Sequence, residues 1–251
     1  MTRPRTIAVI PARYASRRLP GKPLAEIAGR PMIRHVYERV AAAAGIDAVV
    51  VATDDGRIAS AVRDFGGTAV MTPGDLQSGT DRVAVVARSL PDADIIVNVQ
   101  GDEPLIPPPM ITEAVAPLAA DPAILCGTLA RTITDDAELA NPSIVKVVRS
   151  LAGDALYFSR SPLPYGRDIP EPDGRARHPY YKHIGIYVFR RDFLLVVAGL
   201  PPTPLERMEQ LEQLRILEHG YSIRVTLTAH DSIAVDTPAD LERIRTLLRP
   251  S

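Results

Sequence analysis

The stretch Thr6-Ile7-Ala8-Val9-Ile10-Pro11-Ala12-Arg13-Tyr14-Ala15-Ser16-Arg17-Arg18-Leu19-Pro20-Gly21-Lys22-Pro23-Leu24 decides the architecture. Residues 6–10 form a short apolar run of strand character, as expected of a strand covered on both faces, and Pro11 is expected to end it. Four cations, Arg13, Arg17, Arg18 and Lys22, follow on a loop punctuated by Pro20, Gly21 and Pro23. Proline and glycine fix the path of such a loop. Open α/β sheets bind ligands beyond the carboxyl ends of their strands. There, arginine offers a planar fork of donors to phosphate oxygens and lysine a compact charge. The loop therefore has the chemistry of a triphosphate cradle. The plain alternative is an exposed basic loop that only keeps the chain soluble.

Working outward, strand-like and helix-like segments alternate. Residues 48–53, 68–71, 95–99, 124–132 and 144–149 read as strands, and residues 32–44, 56–65 and 82–90 as helices, with Ile33, Val36, Tyr37 and Val40 at helical spacing. Such alternation implies βαβ crossovers, hence an α/β fold with a mostly parallel, Rossmann-like sheet and helices on both faces. The second half is less regular: a proline-rich loop over 162–181, a strand at 183–189, a helix at 205–219, a strand at 222–229 and a last helix at 238–248.

Composition narrows the class. The 251 residues suffice for one large or two modest domains without a disulfide or metal staple. The formal net charge is −1 and the cations gather near the N-terminus, so neither a nucleic-acid nor a membrane-surface partner is expected. No apolar run approaches the ~20 residues of a membrane span, and residues 7–10 are too short for the core of a signal peptide. The single cysteine, Cys126, sits in an apolar run and can form no intramolecular disulfide, which suggests a reducing, cytoplasmic compartment. Neither G-x-x-x-x-G-K-[ST] nor a G-x-G-x-x-G after the first strand is present, so P-loop and dinucleotide-binding readings lack support.

Four further segments carry chemistry. Asn98-Val99-Gln100-Gly101-Asp102-Glu103-Pro104 follows an apolar strand onto the same sheet edge as the basic loop, so Asp102 is expected to face Arg13 and Lys22. Magnesium is commonly held by one or two carboxylates plus substrate phosphates, which makes Asp102 a metal candidate; a plain turn residue is the alternative. In Val235-Asp236-Thr237-Pro238-Ala239-Asp240-Leu241, Thr237 suits a helix N-cap, Pro238 the first helical position and Asp240 the capping-box return, leaving Asp236 without a capping role and available as a second ligand. Gln77-Ser78-Gly79-Thr80-Asp81-Arg82 opens a helix, either as a simple N-cap or with its hydroxyls and N–H groups turned to a nucleotide. Arg160, Lys182 and His183 stand near the second-half loops, where an anionic sugar could be held; a strand histidine is as readily a structural, hydrogen-bonded residue.

These motifs, P-A-R-Y-A-S-R-R-L-P-G-K-P-L, Q-S-G-T-D-R, N-V-Q-G-D-E-P, L-Y-F-S-R, K-H-I-G-I-Y, L-E-Q-L-R and V-D-T-P-A-D-L, occur in an order and spacing that resembles the bacterial 3-deoxy-manno-octulosonate (Kdo) cytidylyltransferases, from residue 7 to about 248. The resemblance implies a nucleotidyltransferase sheet, carried by a single domain over 1–251 with a smaller sugar-binding and dimerisation excursion at about 124–190. It implies a cytoplasmic, Mg²⁺-dependent homodimer that makes CMP-Kdo and pyrophosphate from CTP and Kdo for lipopolysaccharide synthesis. By motif position, Lys22, Asp102 and Asp236 resemble the catalytic residues, with Asp102 and Asp236 as the metal ligands. Arg13, Lys22, Ser78, Gly79, Thr80, Arg82 and Gln100 resemble the nucleotide pocket, and Arg160, His183, Glu212, Gln213 and Arg18 the sugar pocket. Two positions depart from the family pattern: Arg17 stands where a small polar residue is usual, and Ser161 to Tyr165 replaces a run ending in Pro-Trp. A synthetase for amino-Kdo or sialic acid, or a non-catalytic nucleotide or sugar sensor, would share parts of this pattern.

Overall fold

The computed structural model describes residues 3–15, 19–167 and 179–248. Strand β1 (Thr6–Ala12) runs parallel to β4 (Ala48–Thr53) on one side and β6 (Ile95–Asn98) on the other, and β5 (Thr68–Met71) extends the parallel block beyond β4. Past β6 the sheet turns mixed. Strand β10 (Tyr181–Arg190) is antiparallel to both β6 and β7 (Cys126–Thr132), and β11 (Arg224–Leu227) pairs parallel with β7 at the far edge. The hairpin β8 (Lys146–Arg149) and β9 (Ala155–Ser159) branches off the start of β10, and β2 (Glu26–Ile27) with β3 (Arg30–Pro31) forms a separate small hairpin.

Alternation along β1 builds two cores at once. Ile7 and Val9 point to one face, where they meet α3 (Gly79–Arg88), α6 (Arg191–Val197) and α8 (Gln213–Glu218) through Val83, Leu194 and Leu214. Ala8 and Ile10 point to the other, against α1 (Met32–Ala41), α2 (Gly56–Asp64) and α4 (Pro108–Ala120) through Ile33, Ile58 and Met110. Each fully buried isoleucine of this kind contributes roughly 1.5–3 kcal/mol. The expected α/β sheet with helices on both faces is thus the observed one, parallel around β1 and mixed beyond β6.

The structure corrects several boundaries. Strand β1 continues through Pro11 to Ala12, because by that point its pairing with β6 has ended and a missing N–H disrupts no ladder on that side. Helix α4 lies in a stretch that the sequence reading assigned to no element; Pro107, Pro108 and Pro109 fall at its start, where N–H groups have no helical partner anyway. The single helix expected at 205–219 is two, α7 (Pro204–Glu209) and α8, because Gln210 adopts φ 55° and ends the first. Within 124–190, β7 and β10 are inner strands of the main sheet, and among the described residues the β8–β9 hairpin is the part that projects from it. Of the expected loop at 162–181, residues 168–178 lie outside the described residues, as do Arg17 and Arg18.

Caps agree with the sequence. Ser78 and Asp81 form a reciprocal capping box on α3, and Thr237 and Asp240 another on α9 (Pro238–Leu247), with Pro238 in its first turn. Gly101 is required where β6 passes into the next loop: a Cβ there would sit 2.8 Å from the carbonyl oxygen of Pro11. Gly101→Ala must push β1 and its neighbouring loop apart, and is expected to cost about 1–3 kcal/mol. Calorimetry should show this as a Tm lowered by several degrees; an unchanged Tm would mean that the loop yields freely.

Candidate active site

Two adjoining cavities open at the carboxyl edge of β1 and β6, and Gly79 and Gln100 line both. The first, 280 Å³, is walled by Pro11, Arg13, Lys22, Gly101 and Asp102. Lys22 is delivered by Gly21, whose φ of 69° only glycine adopts readily and whose N–H donates to Tyr14 O at 3.0 Å. Its ammonium donates to Asp102 Oδ2 at 2.7 Å, to the carbonyl of Val235 at 2.9 Å and to Asp236 Oδ1 at 3.3 Å. The side chain is 15% exposed, so these bonds lie in a partly desolvated site where charge counts for more than in water. Arg13 Nη2 is buried and has no partner among the described residues.

The second cavity, 430 Å³, is lined by Thr80, Arg160, His183, Glu212 and Gln213 among others. Thr80 Oγ1 donates to Glu212 Oε2 at 2.9 Å, joining the start of α3 to the loop between α7 and α8. Arg160 donates from Nε to Glu209 O at 2.8 Å, from Nη1 to Pro142 O at 3.1 Å and from Nη2 to Gln210 O at 3.3 Å. It therefore caps the broken end of α7 while each terminal nitrogen keeps a second N–H. His183 is held where β10 bulges: the register against β7 shifts between Ile184 and Tyr187. Thr128 Oγ1 fills that gap, lying 3.1 Å from Ile184 O, 2.8 Å from Ile186 O and 3.0 Å from His183 Nε2. A hydroxyl has one proton; given to a carbonyl, it leaves Thr128 to accept from Nε2–H, so His183 Nδ1 is left as an acceptor.

Not every expected residue faces the cleft. Ser78 is occupied as the N-cap of α3. Arg82 is fully buried, donates to Asp54 Oδ2 at 2.9 Å and to Thr72 Oγ1, and lies outside both cavities; burial lowers its pKa against the pull of Asp54. Lys182, next to His183 on the strand, points the other way onto Asp231 and Glu138. Two residues that spacing did not single out do line the second cavity: Asn98 and Tyr187, cross-strand neighbours whose Oδ1 and Oη are buried without a partner among the described residues. Their only sequence signal is membership of the N-V-Q-G-D-E-P and K-H-I-G-I-Y strings.

The cytidylyltransferase family model matches residues 7–224. The 3-deoxy-manno-octulosonate cytidylyltransferase of Geobacter sulfurreducens is 58% identical over 242 residues, covering 94% of this chain and 96% of that protein. The chain belongs to the 3-deoxy-manno-octulosonate cytidylyltransferase family. The relative from Solibacter usitatus, of the same name, is 53% identical over 245 residues, covering 98% of this chain and 95% of that one. A solved structure of CMP:2-keto-3-deoxy-manno-octonic acid synthetase complexed with CTP is 48% identical, covers 97% of this chain and 98% of its own, and superposes with a TM-score of 0.91. The 4-diphosphocytidyl-2C-methyl-D-erythritol synthase of Anaerococcus prevotii, 14% identical with a TM-score of 0.62, shares the fold alone. This cytidylyltransferase is accordingly a nucleotide-transferring enzyme, as its motifs implied. No helix among the described residues is long and apolar enough to cross a membrane.

The His183 ring packs against Phe158 and Tyr187 with centroids 5.1 and 5.4 Å away, and burial pushes its pKa down to about 3. Between pH 6.5 and that value the unfolded chain takes up a proton here that the folded chain refuses, so this group withdraws stability as pH falls through the window. NMR of the free protein should show a neutral His183 ring from pH 8 down to pH 5; a ring titrating near 6.5 would overturn the assignment.

Proposed function

We infer that this protein transfers the cytidylyl group of CTP to the anomeric hydroxyl of Kdo, giving CMP-Kdo and pyrophosphate for lipopolysaccharide synthesis. The observation that carries the reading is the Lys22 ammonium bracketed by Asp102 and Asp236 beside two cavities that share Gly79 and Gln100. One cavity, walled by Arg13 and Lys22, suits the triphosphate. The other, bearing Arg160 and His183, suits an acidic sugar.

Transfer requires in-line attack of the sugar hydroxyl on the α-phosphorus while pyrophosphate leaves, so the protein's work is positioning and charge neutralisation. Arg13 supplies a buried, unpartnered N–H to phosphate oxygens, and Lys22 can turn its ammonium from the carboxylates to the triphosphate. Gln100 and Gly79, which line both cavities, would lie where the two substrates meet. Arg160, with N–H groups to spare, can bind the sugar carboxylate through charge-assisted bonds. The Nδ1 of His183, and the Asn98 and Tyr187 side chains, are free to accept from or donate to sugar hydroxyls.

Two carboxylates of hard oxygen, few in number and set beside a phosphate-binding wall, fit Mg²⁺ better than a metal that prefers nitrogen or sulfur. Asp102 and Asp236 would hold the ion, which when bound supplies positive charge to the α-phosphate and to the attacking hydroxyl. We further propose a homodimer acting in the cytoplasm. Exposed Leu151, Leu156, Tyr165 and Met208 on and around the projecting hairpin support the first, and the use of CTP the second.

The deciding experiment is pyrophosphate release with CTP, UTP, ATP and GTP against Kdo, amino-Kdo, sialic acid and a neutral hexose. CTP with Kdo should be the preferred pair; equal turnover of the hexose would reopen the sugar assignment. Asp102→Asn and Asp236→Asn should each lower kcat/KM at least about 100-fold, some 2.7 kcal/mol, with the fold intact by circular dichroism. Lys22→Ala should lower kcat itself, whereas a change confined to the KM for CTP would make Lys22 a docking residue.

A further inference from the structure

Behind the catalytic edge lies an ion network that the transfer chemistry does not use. Arg131 on β7 and Lys182 on β10 are directly opposed across the antiparallel ladder, and like charges so placed repel. Two carboxylates offset this. Arg131 Nη2 donates to both oxygens of Glu138, on the short helix α5 (Asp136–Ala140), at 2.8 and 2.7 Å and lies 3.2 Å from Asp231 Oδ2. Lys182 Nζ donates to Asp231 Oδ1 at 2.9 Å and to Glu138 Oε1 at 3.3 Å. Both cations and Glu138 are 20% exposed or less, so the network is shielded from salt better than a surface pair.

Asp231 and Asp236 both lie in the irregular segment 228–237 between β11 and α9. Between them the chain has no strand or helix to fix its path. It is tied at the far end by the Val235 N–H donating to Asp102 O at 2.8 Å and by the Asp236 N–H donating to Asp240 Oδ2 at 3.1 Å. Glu103, buried directly after Asp102, lies within electrostatic reach of both Lys182 and Asp231, so the network abuts the Asp102 loop as well. We propose that Lys182 and Arg131 are positioning residues for cytidylyl transfer: by gripping Asp231 they set the near end of the segment that presents Asp236 to Lys22.

The inference rests on the reading of Asp236 as a catalytic carboxylate, and two independent measurements keep the two apart. Hydrogen exchange at the Val235 amide reports the path of the segment whatever Asp236 does, and steady-state kinetics report its consequence. Asp231→Asn and Lys182→Met should each speed exchange at Val235 at least tenfold and lower kcat about tenfold, with the KM for CTP within twofold of wild type. Lys182→Arg, which keeps the charge and the reach to Asp231, should restore both to within threefold. The double variant Asp231→Asn/Lys182→Met should be little worse than either single one, because both break the same tether. Wild-type exchange at Val235 in Asp231→Asn would overturn the tether, as would faster exchange with an unchanged kcat. Full activity in Asp236→Asn with exchange still dependent on Asp231 would overturn the catalytic reading of Asp236 instead, leaving a tether without a catalytic role.

Discussion

The Lys22 ammonium joins three parts of the chain that lie far apart in the sequence. It takes one carboxylate from the middle of the sequence, 80 residues away, and a carbonyl and a second carboxylate from the C-terminal quarter, 213 and 214 residues away. In the free protein the lysine holds two like-charged carboxylates together, compensating repulsion that a low-dielectric cleft would otherwise magnify. In the function proposed above, the same three side chains would handle the charge of the triphosphate, which requires that the one cation have alternative partners.

The sheet makes that convergence possible. Parallel strands β1 and β6 end at one edge, which brings the basic loop and the Asp102 loop together, and Gly101 lets them touch. The antiparallel strand β10 then carries the second cavity alongside. Its bulge, filled by the Thr128 hydroxyl, settles how His183 and Tyr187 meet that cavity, because an extra residue in a strand re-aims the side chains on either side. A regular ladder at this point would keep its hydrogen bonds and lose that aim.

Arg160 shows how one residue serves the fold and the cavity together. Its guanidinium ties down carbonyls that the end of α7 leaves without helical partners, and in doing so fixes the turn that presents Glu212 and Gln213. Removing it would disturb the cavity wall as well as any contact with a sugar carboxylate, so kinetic effects at Arg160 need a structural control beside them.

The sequence by itself determined the alternating architecture, the two-faced burial of β1, the capping box at Thr237, and the ordered motifs that mark the family. All of these are local signals: a period of two, a cap three residues from its partner, a proline at a first turn. Tertiary structure alone decided that Lys22, expected from the sheet edge to face Asp102, also reaches Asp236, that Arg82 on α3 is buried against Asp54, and that Lys182 turns away from its neighbour His183 toward Asp231. It also decided the break at Gln210, which no glycine or proline announces and which distant Arg160 stabilises. The reason is common to each case: the partners are tens to hundreds of residues apart, and no pattern within a window of sequence records which distant carbonyl or carboxylate folding will bring within 3 Å.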